Sequence, residues 1–136
     1  MNNKTLRPKD AATLILYKVD GDQLRVLLGQ RHKGHIFMPN AYVFPGGRVN
    51  SVDSRVRPSS PLKADVLAKL ERAANPARAR AIAVAAIRET YEETGLLIAS
   101  NSNKENFWHM NIGPKLGEIN YFFRAITPPN RIRRFD

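Results

Sequence analysis

The sequence predicts a single α/β domain, and three observations carry that prediction. Residues 76–95 form an apolar helical run with its own start and stop signals. Short apolar, β-rich stretches lie on both sides of it, at 11–19, 24–31, 41–44 and 119–129. At 136 residues the chain is long enough for one domain with a real core and too short for two.

Taken in order, AATLILYKV (11–19) is β-branched enough for a strand, Gly21–Asp22 turns the chain, and LRVLLGQR (24–31) returns as a hairpin partner. HKGHIFMPNA reads as a loop broken by Gly34 and Pro39, after which AYVF (41–44) runs into a Pro45-Gly46-Gly47 turn. Residues 10–48 thus make the hairpin-and-strand part. Residues 49–75 change character: they are polar and proline-containing, and read as an insertion with a short amphipathic helix. Leu62, Val66, Leu67 and Leu70 recur at helical spacing, with Ser60–Pro61 as a start. Surface decoration, substrate selection and dimer contact are all open roles for it. The helix at 76–95 begins with Asn75 as cap and Pro76 in the first turn, and Gly95 supplies the left-handed stop. In 96–136, LLIAS and INYFFRAITPP read as strands.

Twenty-two Lys plus Arg against 12 Asp plus Glu give a formal charge of +10, which favours anionic partners such as phosphorylated metabolites. A solvated basic surface is the plain alternative, because the charges are scattered. A nucleic-acid partner ranks last, since basic and aromatic residues are not interleaved. The absence of cysteine excludes disulfides, thiolate metal sites and a cysteine nucleophile. No stretch is long enough to span a bilayer, and MNNKTLRPKD is not an apolar signal, so the expectation is a cytoplasmic protein. Homodimerisation is left open.

The helix ends in RETYEETG. At about 100° per residue, Glu89, Glu92 and Glu93 fall within an arc about 100° wide. Ala83, Ile87, Tyr91 and Thr94 lie on the other side, as the stripe expected to pack on a sheet; Ile82, Ala85 and Ala86 precede the glutamates on theirs. Like charges this close repel unless they point into water or share a cation. Three hard oxygen donors suit Mg²⁺ or Mn²⁺. A solvated acidic face paired with arginines is the competing reading.

Arg88-Glu89-x-x-Glu92-Glu93-x-Gly95-Leu96, preceded by VFPGGR, resembles the signature of the Nudix hydrolases, with Gly47 as its opening glycine. The resemblance implies an α/β/α sandwich with a mixed sheet. Two departures stand out. Thr90 occupies an aliphatic position, and Gly47 and Arg88 stand 41 positions apart against 14 in the standard signature, an insertion of about 27 residues. Asp53, six positions after Gly47, is a candidate to replace the first glutamate. In the alternative alignment that position falls on Arg80, which cannot be a ligand. With FMPNAYVFPGGRV and RAITPPNRIRRFD, the chain is similar to a subgroup associated with coenzyme A diphosphate hydrolysis. RHKGHIFMP, however, does not match that subgroup's coenzyme A signature. In such proteins RRFD leads into further sheet and a helix, so truncation at Asp136 is expected.

The resemblance implies a Mg²⁺- or Mn²⁺-dependent hydrolase of a nucleoside diphosphate-X substrate, with coenzyme A or acyl-coenzyme A as candidates. It implies Glu89, Glu92 and Glu93 as metal ligands, with the Gly46 carbonyl, and Glu89, Glu92 and Arg88 as the catalytic group. Arg31, Arg48 and Gly47 are the expected substrate contacts, with His32 and Lys33 as further phosphate candidates. Phe37, Tyr42 and Trp108 are candidates to stack on a base, whereas His35 and His109 read as loop residues. Glu118 is the candidate for a later acidic ligand, against a plain surface residue. A Nudix-fold module that binds nucleotide or RNA without turnover is the alternative.

Overall fold

The computed structural model describes residues 8–34, 38–101, 112–127 and 133–135. The expected strand at 11–19 is two strands, β1 (Lys9–Thr13) and β2 (Tyr17–Asp20). Between them the chain changes partners, and Leu14 N–H donates to the Pro45 carbonyl at 2.9 Å. β2 pairs antiparallel with β3 (Gln23–Val26) across a turn where Gly21 takes φ +60°. The second expected strand is likewise divided, because β4 (Gly29–Gln30) pairs with β5 (Tyr42–Val43). In the hairpin, Tyr17 faces Val26 and Val19 faces Leu24. This is the alternation of a half-buried sheet, yet all four side chains are exposed.

Pro45-Gly46-Gly47 is not a free-standing turn. β6 (Gly46–Arg48) lies antiparallel to β1, with Ala12 opposite Gly47. Both glycines lie outside the positive-φ region, so their role is close approach rather than turning. A Cβ on Gly46 would overlap the Ala12 carbonyl and the backbone of Thr13.

The inserted segment forms a 3₁₀ turn at Ser51–Ser54 and then α1 (Ala64–Glu71). The helix starts three residues later than Ser60–Pro61 predicts. Ser60 is occupied elsewhere: its carbonyl accepts from Leu116 N–H at 3.3 Å and its hydroxyl from Gly117 N–H at 3.0 Å. The insertion is packed into the domain, since Asp53, Val56, Val66 and Leu70 are all buried.

α2 (Pro76–Thr94) has the ends its sequence predicts. Asn75 Oδ1 accepts from Arg78 N–H at 2.9 Å, and Gly95 closes the helix at φ +74°. Asn75→Ala should therefore cost about 1 kcal/mol, read from the shift in a denaturant midpoint.

β7 (Ala99–Asn101) pairs with β8 (Ile112–Pro114). Among the described residues of the strand expected at 119–129, only β9 (Ala125–Ile126) forms; Pro128 and Pro129 lie outside them. Phe122 and Phe123 are exposed, packed edge to face at 5.1 Å, with no strand partner among the described residues. β10 (Arg133–Phe135) then runs parallel to β1, giving a mixed sheet of order β6-β1-β10-β9.

The core lies on both sides of α2. Ala79, Ile82, Ala85 and Ala86 pack with Ala12 of β1 and with Val66 and Leu70 of α1. Ala83, Val84 and Ile87 pack with Val56 and Leu116. The sheet is thus met by the Ile82–Ala85–Ala86 side, not by the Ala83–Ile87 stripe. The reason is the insertion: Val56 and the Leu116 segment occupy the second face. Full burial of each large aliphatic contributes about 1.5–3 kcal/mol. Among the described residues no helix is long and apolar enough to cross a membrane.

Candidate active site

Because the glutamate side of α2 is the sheet side, Glu89 and Glu93 are carried against β6, while Glu92 and Glu93 also stay open to solvent. Gly47 stands against Glu89: a Cβ there would lie 2.5 Å from Glu89 Cδ. Glu93 Oε2 accepts from Gly46 N–H at 3.1 Å. Gly46, whose carbonyl is the expected metal ligand, thus meets the glutamates through its N–H. Glycine is required at 47 by this contact. Gly47→Ala must displace either a clamped carboxylate or the strand, and should cost about 1–3 kcal/mol in thermal unfolding.

Arg88 organises the other side. It is 3% exposed, and all five of its N–H donors have acceptors. Nε donates to Asp53 Oδ1 at 2.8 Å, and Nη2 to Asp53 Oδ2 at 3.2 Å and to the Arg48 carbonyl at 2.9 Å. Nη1 donates to Glu89 Oε1 and to Glu92 Oε2, each at 2.9 Å. Burial by itself lowers the guanidinium pKa, but the hydrogen bonds and charge of Asp53, with those of Glu89, hold it above the ordinary value. Arg88 is therefore a fixed cation. The intrahelical pair with Glu92, four residues on, is thus one contact of five.

Asp53 is fully buried, and its Oδ2 also accepts from Asn50 N–H at 2.7 Å. It is the partner of Arg88 and has no free face toward a cation. Its position six residues after Gly47 was the only sequence signal for it.

Glu93 differs from its neighbours. It reaches solvent, but burial raises its carboxyl above the ordinary range; the Gly46 N–H bond opposes this, Glu89 adds to it, and Arg31 opposes it. Arg31 thus lies close enough to act on Glu93, whereas Glu89 and Glu92 share Arg88. Thr90 is buried, its hydroxyl donating to the Ala86 carbonyl at 2.8 Å, so the polar residue at an aliphatic position is satisfied within the helix.

Other expected residues fall elsewhere. Arg48 supplies a carbonyl to Arg88, while it lines a cleft with Lys9, Asn50 and Arg78 that none of the three glutamates borders. Lys33 is exposed, and His32, also exposed, accepts from Gly34 N–H through Nδ1 at 3.1 Å. Tyr42 is exposed on β5, and Arg80 is exposed on α2. Glu118 is exposed and stands 3.8 Å from Lys115, which fits the plain surface reading. His35, Phe37, Trp108 and His109 lie outside the described residues.

The donor set is suited to a hard divalent cation: carboxylate oxygens and backbone, with no sulfur in competition. Three of its members meet β6 or each other through Arg88. Among the described residues, however, no three acidic or histidine side chains gather round one point as a ready cage.

No family model matches the chain, and neither does any curated protein. The chain is similar in structure to a NUDIX hydrolase from Alicyclobacillus acidocaldarius, with a TM-score of 0.64 and 24% sequence identity. The match covers 95% of this chain and 66% of the other, so the chain spans just under two thirds of that protein's length. A likeness at this identity establishes architecture, and the architecture is that of a Nudix hydrolase.

Proposed function

We propose that the chain is a metal-dependent pyrophosphohydrolase cleaving the diphosphate linkage of a nucleoside diphosphate-X substrate, with coenzyme A or acyl-coenzyme A among the candidates. One observation carries the reading: Glu89 and Glu93 both abut the Gly46–Gly47 strand, and Arg88 ties Glu92 to Glu89. Glu89, Glu92 and Glu93 are the residues that would hold Mg²⁺ or Mn²⁺. When bound, such a cation neutralises charge on diphosphate oxygens and activates water.

The chain's own residues do the rest. Arg88, permanently charged, holds Glu89 and Glu92 aligned by donating to both through Nη1. Gly46 N–H fixes Glu93 at the edge of β6. Arg31, near enough for its charge to act on Glu93, adds positive potential for an anionic substrate. Glu89 is engaged by Arg88 through Oε1, so Oε2 is the oxygen offered to a proton of the attacking water.

A nucleotide-binding module without turnover is favoured by a different observation. Arg88 already neutralises two of the three carboxylates, and the described side chains are not gathered as a cage. Phosphate release with added Mg²⁺, screened over coenzyme A, dinucleotides, sugar nucleotides and capped RNA, separates the two. Release that vanishes with a chelator supports the hydrolase. Binding without release supports the module.

A further inference from the structure

We propose that the cleft between the inserted segment and the first turns of α2 is a second binding site, suited to an organic phosphate of nucleoside monophosphate size and separate from the glutamates. The cleft measures about 550 Å³, inside the range of about 300–1,000 Å³ typical of small-molecule sites. Arg55 and Arg57 line it from the insertion and Arg80 from α2, and among the described residues no carboxylate lines it. Like charges round one hollow repel one another, and an anion seated among them removes that repulsion.

Helix geometry sets the place of Arg80. It stands three and four residues before Ala83 and Val84, so the three share one side of α2. Ala83 and Val84 pack on Val56, and Arg80 continues their row toward the insertion, one turn nearer the helix start. The glutamates leave α2 elsewhere: Glu89 lies against Gly47 and Glu93 against Gly46. Glu89 is also nine residues further along the helix, about 14 Å at the rise of an α-helix. A ligand in the cleft and a cation at the glutamates would therefore be held apart.

The wall opposite α2 is held in place. Val56 is buried, Ser59 N–H donates to the Pro114 carbonyl at 3.0 Å, and Leu116 N–H donates to the Ser60 carbonyl at 3.3 Å. Arg55 and Arg57 flank Val56, and both are exposed. Between them and Arg80 the lining is apolar and stiff, with half-buried Leu62 and Leu67 beside Pro58, Pro61 and Pro76. Proline fixes its own φ, so a ligand has little backbone to order here. Guanidinium groups bind phosphate oxygens in pairs and stack on flat rings. A cationic rim over an apolar floor therefore selects a phosphate carried on an apolar or aromatic body rather than a bare anion. None of this depends on the hydrolase reading.

The experiment titrates AMP into the isotope-labelled chain in low-salt buffer containing EDTA, and follows the backbone amide resonances. Binding should saturate with a Kd below about 1 mM. The shifts should centre on residues 54–57, 62–67 and 77–80, not on 46–47 or 88–93. Arg80→Gln and Arg55→Gln should each weaken AMP by about five- to tenfold, and Arg80→Glu by at least about 50-fold. Adenosine and inorganic phosphate should each bind at least about tenfold more weakly than AMP, because each keeps only one half of the match. Glu93→Gln should bind AMP as the wild type does. Four results overturn the proposal: no saturable shift at about 1 mM AMP, shifts centred on the glutamates, wild-type affinity in the Arg55 and Arg80 variants, or adenosine or phosphate binding as tightly as AMP. EDTA keeps divalent cations away throughout. A separate failure of Mg²⁺-dependent phosphate release therefore strikes the hydrolase reading alone.

Discussion

Arg88→Met should be the most damaging single substitution for stability, costing about 3–5 kcal/mol. Methionine replaces the length of the side chain but none of its five donors. Asp53, fully buried, then keeps only the Asn50 N–H and becomes a buried charge without a counter-charge. The Arg48 carbonyl also loses its bond. Glu89 and Glu92 suffer less, because their side chains are 17% and 51% exposed and water replaces the arginine. A loss of this size lowers the melting temperature of a domain this long by on the order of 10–20 °C. The companion variant Arg88→Met/Asp53→Val removes both charges, and buried pairs replaced by apolar residues are often neutral in stability. It should recover at least half of the loss. A fall of less than about 3 °C in the single variant would show that Asp53 is reached by water.

The same arginine shows what could be read from the sequence and what could not. The helix was legible to the residue because its signals are local: Asn75 and Pro76 open it and Gly95 closes it, each through its own backbone geometry. The α/β class was legible from the alternation of such elements, and the mixed sheet only through the family resemblance that RETYEETG and VFPGGR carry. The orientation of α2 was not. Apolar residues surround its middle, so periodicity cannot say which side meets the sheet. That was decided by Val56 and Leu116, which come from distant parts of the chain. The division of the strands predicted at 11–19 and 24–31 into two each had the same origin, since pairing partners are chosen over distances that local propensity does not encode. For the site, RETYEETG located the carboxylates and the PGG segment located the strand beside them. Asp53 was weakened as a candidate by the inserted residues, because a spacing of 35 between ion-pair partners leaves no periodic trace. Residues 119–124 of the strand expected at 119–129 differ for a simpler reason: an apolar run becomes a strand only with a neighbour to bond, and they have none among the described residues.

Glu93→Gln should separate function from stability more sharply than any other change. Glutamine keeps an acceptor for Gly46 N–H and nearly the same shape, so β6 and α2 stay in contact. What disappears is one negative charge at the point where the proposed cation is held. Losing a single electrostatic group of this kind lowers kcat by about 10²–10³-fold. The stability effect has the opposite sign. Burial raises the Glu93 pKa in the folded chain, aided by Glu89 and Glu92. The folded state therefore binds the proton more tightly than the unfolded state does. Its ionised form costs stability, in full above the folded pKa, and the cost fades as pH falls through the unfolded value of about 4.3. In metal-free buffer at neutral pH, Glu93→Gln should thus melt at or above the wild-type temperature, and the two should converge near pH 4. Added Mg²⁺ should reverse the order, because the cation stabilises only the chain that binds it. Activity retained in Glu93→Gln, or a melting temperature indifferent to Mg²⁺ in the wild type, removes Glu93 from the cation site.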